Sequence, residues 1–127
     1  MYNNAMQAYH NVEKATISGR ETEARVLMQA AMKLQVCQKN WQDGNDEDLD
    51  AALKYNQKIW SVFQSELANS ENPLPDDLKR DLLRLAAFID RRIFETMSFP
   101  SPEKLTIIIK INQNIAAGLR ASPFDVT

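Results

Sequence analysis

The chain has 127 residues, of which 44% are apolar and 25% charged, with a formal net charge of −2. That length bounds it to one domain around one core, residues 1–127, and the slightly acidic balance lacks the basic face of a nucleic-acid binder. No apolar run approaches the ~20 residues that cross a bilayer, and the lone Cys37 excludes an internal disulfide framework.

The first sixteen residues, MYNNAMQAYHNVEKAT, lack the charged and apolar regions of a signal peptide. A cytoplasmic protein is therefore expected, without membrane contact or direct nucleic-acid binding. Residues 2–16 read as a modest amphipathic helix, with Tyr2, Ala5, Ala8, Tyr9, Val12 and Ala15 on one face. These residues bury little area, so this helix is expected to be the least firmly held. It fits either a docked end helix or a movable cover.

Ser18-Gly19-Arg20-Glu21 has the form of a capping box, which predicts a second helix running to about Trp41. Ala24, Leu27, Ala31, Leu34 and Trp41 mark its core line, flanked by Val26, Ala30 and Cys37. Gly44 is placed to end it in the left-handed conformation. Met28 and Met32 lie near the edge of the apolar arc, as core filler or as an adaptable binding face. Asn45 or Asp46 then caps a third helix whose first turn is rich in Glu47, Asp48 and Asp50. Leu49, Leu53, Trp60, Phe63 and Leu67 give it clean helical spacing, and Asn56 falls in the middle of that arc. Residues 69–73, NSENP, are a break.

Residues 74–97 form the central helix. Pro75 suits the first helical position, and Asp76 and Asp77 suit the positive end of the helix dipole. Leu78, Leu82, Leu85, Ala86, Ile89, Ile93 and Met97 form one arc at 100° per residue, widened by Leu83, Ala87 and Phe94. Two residues break this pattern. Asp90 projects inside the arc and would need a partner, Asn112 or a basic side chain. Phe88 projects among Asp81, Arg84, Arg91 and Glu95, where an aromatic calls for a cover. Arg84, Phe88, Arg91 and Glu95, with Tyr9 of the first helix, are the candidate partner-binding residues; the competing reading has Phe88 packed permanently under the first helix.

After a turn at residues 98–101, Ser101 caps a last helix with Pro102 at its first position and Glu103 behind it. Leu105, Ile108, Ile109, Ile111, Ile115 and Leu119 carry its apolar face. The strand-prone Thr106-Ile107-Ile108-Ile109 is read as helix because the pattern continues beyond strand length. Asn112 falls mid-arc, as Asn56 does, and each buried amide needs hydrogen-bond partners. Asn56, Asp90 and Asn112 are thus the candidate buried polar residues; the two amides either fix register in the core or line a groove. Residues 121–127 read as a loose tail. The whole is all-α, a bundle of about five antiparallel helices joined by short turns.

There is no glycine-rich phosphate loop, no Cys-x-x-Cys and no His-Glu-x-x-His, and His10 is the lone histidine. The carboxylates cluster at helix starts, where the dipole accounts for them. No enzyme activity, metal or cofactor is expected.

The ordered pieces Ala8-Tyr9, Arg20-Glu21-Thr22-Glu23, Asn56-Gln57-Lys58-Ile59-Trp60-Ser61-Val62-Phe63, Leu74-Pro75, Leu85-Ala86-Ala87-Phe88-Ile89-Asp90-Arg91 and Ile111-Asn112-Gln113-Asn114-Ile115-Ala116-Ala117-Gly118-Leu119 together resemble the FlaF family of flagellar biosynthesis regulators. The resemblance spans about residues 5–120; His10 and the methionines of the second helix are not features of that family, and the tail after Leu119 is unplaced. It implies a small cytoplasmic protein that binds flagellin as a secretion chaperone and couples flagellin synthesis to filament assembly, alongside the regulator FlbT. A helical regulatory adaptor that binds another regulator or the translation machinery, without holding flagellin, is the alternative.

Overall fold

Helix follows helix with no strand among the described residues: α1 (Tyr2–Lys39), α2 (Asp46–Ala68), α3 (Asp76–Ser98) and α4 (Glu103–Arg120). The structure is a computed structural model that describes the backbone of residues 2–121 and the side chains of residues 20–121. The expected tail after Ala121 and the apolar face of residues 2–16 lie outside the described residues.

The first two expected helices are one. The backbone of α1 stays helical through Ser18 and Gly19, so there are four helices where about five were expected. A glycine inside a helix costs only about 1 kcal/mol relative to alanine, and no proline is present to enforce a break. Gly44 also departs from expectation, because no glycine has a positive φ among the described residues. The chain leaves α1 by a tight turn in which the Asp43 and Gly44 N–H groups both donate to the Asn40 carbonyl, at 3.0 and 2.6 Å. A Cβ on Gly44 would stand 3.1 Å from that oxygen, so glycine serves close approach here rather than an unusual φ.

The remaining boundaries follow their chemistry. Asn45 is the cap of α2, its side-chain oxygen accepting from the Asp48 N–H at 2.7 Å. α3 begins after Pro75, whose carbonyl accepts from the Lys79 N–H at 2.9 Å. At α4 no side chain caps; Ser101 and Pro102 contribute backbone carbonyls to Lys104 and Leu105 instead.

α1 packs on α2 and on α4, α2 packs on α3, and α3 meets α4 more sparsely. Gln38 donates to the Pro102 carbonyl and the Thr106 hydroxyl at 2.8 and 2.9 Å, while Arg120 meets Glu21 at 3.6 Å. Residues 20–39 of α1 therefore run antiparallel along the whole of α4. The core comprises Leu27 and Leu34 of α1, Leu53 and Trp60 of α2, Ile89 and Ile93 of α3, and Leu105 and Ile108 of α4, with alanines at the close approaches.

At the centre lies a polar network. Asn56 donates to the Ala30 and Ala52 carbonyls at 3.1 and 2.9 Å. Asn112 donates to the Asn56 side-chain oxygen at 2.6 Å and accepts from the Trp60 indole N–H at 2.8 Å. Both amides have zero exposure. They satisfy each other and tie α1, α2 and α4 into one register.

Asp90 is not part of this network. It is exposed, so its expected role as the buried partner of Asn112 is corrected. The buried stripe of α3 is narrower than the apolar count implies: Ala86, Ile89, Ile93 and Thr96. Ala87, Phe94 and Leu78, assigned to the arc from spacing, are exposed, Phe94 at 70%. The reason is that α3 has one well-packed neighbour rather than two. Asp90→Ala should consequently leave stability within about 0.5 kcal/mol of the parent in urea titration; a loss above 1 kcal/mol would restore Asp90 to the core.

Candidate functional site

Two exposed surfaces compete as the place where a partner could sit. The outer face of α3 carries Arg84, Phe88, Arg91 and Glu95 at intervals of four, three and four, all exposed on one side of the helix. The structure thus brings these four together. Phe88 is 40% exposed, and its cover comes from its own helix: the Arg92 guanidinium stands 5.9 Å from the ring centre and also reaches Glu95 at 3.4 Å. The Arg92 Nε is buried with no hydrogen-bond partner. Tyr9 lies outside the described side chains. The reading in which the first helix covers Phe88 therefore also falls on residues outside the described side chains.

Of the second surface the sequence reading raised only Met32, as one of two methionines that could form an adaptable binding face. Along α1 and α2 runs a groove of about 810 Å³, walled by Gln29, Met32, Lys33, Val36 and Cys37 on one side and by Asp48, Ala51, Ala52 and Tyr55 on the other. A cavity of about 370 Å³ continues it to the α1–α2 turn, past Trp41, Asp43 and Asp46. Met32 and Val36 are 59% and 54% exposed, one turn apart on the groove's rim. Met32 is therefore surface, not core filler, whereas Met28 packs against the core. The available signal was the spacing of Met32 and Val36, both on the far side of α1 from Leu27 and Leu34. Lys33 is held over the Tyr55 ring at 4.9 Å. The Cys37 thiol is pushed up from its ordinary pKa by burial and then by the Asp48 charge, which keeps it protonated and poorly nucleophilic.

A third feature sits at the opposite end. Glu23 of α1 and Glu66 of α2 meet above a small cavity of about 90 Å³ lined by Trp60, Phe63, Ile115 and Leu119. Burial, then the Glu66 charge and a hydrogen bond to Glu66, push the Glu23 carboxyl up to about 7, against the opposing pull of Arg20. Nothing along one helix announces this pair, since its members come from two.

Among the described residues there is no cluster of three or more His, Cys, Asp or Glu able to hold a metal ion, and no helix long and apolar enough to cross a membrane. What the geometry offers is surface. A family model described as flagellar protein FlaF matches residues 5–119. The chain belongs to the FlaF family. That match covers nearly the whole chain, and membership gives this FlaF-family protein a flagellum-related role. No curated protein and no solved structure is similar enough to match it. The buried Asn56, Trp60 and Asn112 and both exposed surfaces fall within the matched span of the FlaF chain.

Proposed function

We propose that the chain binds flagellin in the cytoplasm as a secretion chaperone and couples flagellin synthesis to filament assembly. The observation that carries this reading is the set of large apolar side chains left in solvent on a FlaF-family chain: Met32, Val36, Phe88, Phe94 and Phe99. Of these, Met32 and Val36 adjoin on the rim of one groove, and apolar side chains left in solvent side by side mark an interaction surface. A bundle of rigid helices with a groove between two of them suits an amphipathic segment of a client laid helix-in-groove.

The test is co-purification from a flagellated cell, followed by titration with purified flagellin. Flagellin recovered in stoichiometric amount, and bound directly by the purified chain, is the expected result. Recovery of another regulator or of ribosomes in its place, with no direct flagellin binding, would favour an adaptor instead. Phe88→Ala should fold normally, because Phe88 is outside the core. If α3 anchors flagellin, that variant loses about 2 kcal/mol of affinity or more; if not, it binds as the parent does.

A further inference from the structure

The groove between α1 and α2 is polarised along its length. Lys33 stands one turn in from the Gln29 end; Asp48 lines both sections, and Asp43 and Asp46 line the end at the α1–α2 turn. The N-terminus of α2 accounts for part of this negative charge, but a helix end is equivalent to only about half a positive charge. Three acids stand in its first turn, Asp46, Glu47 and Asp48, and Asp43 precedes them. Asn45 already supplies the cap through its own side chain. A surplus of negative charge therefore remains at that end, exposed to solvent and open to a cationic partner.

Between the two ends the surface is apolar and shallow. Met32 and Val36 stand at the rim, and Ala51 and Ala52 give the α2 side its small residues. Alanines let another backbone come close, and methionine adapts to the shape laid on it. From Gln29 to Asn40, one residue past the end of α1, the groove runs eleven residue steps, about 17 Å at 1.5 Å per residue. That length matches about three turns of a docked helix.

We propose that this groove seats an amphipathic helix of about three turns. Its apolar stripe covers Met32 and Val36, and Lys or Arg at one end meets Asp43, Asp46 and Asp48. The inference deepens the proposed function and rests on it only for the helix being a segment of flagellin. The charge pattern decides the seating: apolar contact holds the helix, and the acidic end fixes which way it lies.

The probes are two peptides of about 14 residues with the same Leu/Ala stripe, one ending in three Lys and the other in three Glu. They are titrated into the full chain and followed by fluorescence, since Trp41 lines the acidic end while Trp60 is buried elsewhere. The Lys-ended peptide should bind about ten-fold tighter or more, with the advantage shrinking as salt screens the acids. Met32→Glu and, independently, Val36→Glu should each weaken it by about ten-fold or more, with the helical circular dichroism unchanged because both positions are exposed. Asp43→Asn with Asp46→Asn should reduce the preference between the peptides by about half or more on the logarithmic scale while binding persists, since Asp48 alone remains of the three. Equal affinity for the two peptides would overturn the proposal. So would undiminished binding by Met32→Glu and Val36→Glu, or a dimer that those variants dissociate, which would give the groove to a second copy. Peptide binding without flagellin binding would uphold the groove and sink the flagellin reading. Flagellin bound normally by Met32→Glu and Val36→Glu would uphold that reading and sink the groove.

Discussion

Asn112→Ala is expected to destabilise the protein by about 3 kcal/mol, because two fully buried groups would lose their partners at about 1–3 kcal/mol each. The Trp60 indole N–H donates to Asn112 and the Asn56 oxygen accepts from it. With the amide gone, neither has a second partner at hand, and both are sealed from water. Stabilities of such domains run to about 5–15 kcal/mol, so a large fraction would be lost. Urea unfolding at neutral pH reads this as a midpoint lowered by about 1–3 M at an unchanged slope. Trp60→Phe in the Asn112→Ala background removes the orphaned donor and should recover part of the loss. A change below about 1 kcal/mol would mean that the site relaxes or admits water. The alanine variant should suffer far more than Asp90→Ala, although both positions drew attention as polar residues in apolar arcs.

The second large effect is a dependence on pH centred on Glu23. Its carboxyl is raised from 4.5 to about 7, by burial first and by Glu66 next. The folded state therefore holds a proton that the unfolded state has released between those two values. Stability must fall as pH rises through that window and remain lower above it. At 1.36 kcal/mol per unit the whole shift would be worth about 3 kcal/mol, but Glu23 is partly exposed and solvent screens the pair, so about 1–2 kcal/mol is expected. Glu23→Gln cannot ionise. It should match the parent at pH 4, below the unfolded-state value, and exceed it by that amount at pH 8. Paired urea titrations at the two pH values measure the difference directly. Equal stability of the two proteins at pH 8 would show that the carboxyls separate or that Arg20 neutralises them.

The places where sequence and structure part company have separate physical causes. Asn56 and Asn112 were legible as buried because their helices are periodic enough to define an arc with a middle. Their bond to each other was not, since it depends on how α2 and α4 face across the core. Asp90 was misread because Leu83, Ala87 and Phe94 drew the apparent centre of the α3 arc toward it. The true stripe includes Thr96, a polar residue that is buried at no penalty because its hydroxyl donates to the Arg92 carbonyl of the preceding turn at 2.7 Å. Ser18 and Gly19 looked like a start because a capping box is a local pattern, while the continuity of α1 is not local. Phe88 stood out correctly as exposed. The groove rim at Met32 and Val36 did not: both project away from Leu27 and Leu34, but the expected reading placed Met32 near the edge of the apolar arc and left Val36 unremarked. The pairing of Glu23 with Glu66 joins positions 43 residues apart, with no pattern between them to follow.

The pairing of the first helix with the last has a consequence for how the chain is made. Gln38 waits for Pro102, 64 residues later in the sequence. At a synthesis rate of about 5–20 residues per second, α1 spends about 3–13 seconds without the helix that buries its inner face. During that interval α2 can shelter part of α1, and α3 can pair with α2 as an antiparallel neighbour. Leu27 and Leu34 meanwhile lack the α4 side of their enclosure, and the Asn56 oxygen lacks the Asn112 donor. Until residues 103–120 emerge, the seam between α1 and α2 has nothing to close it, and α4 supplies both the missing apolar wall and the Asn112 amide of the polar centre.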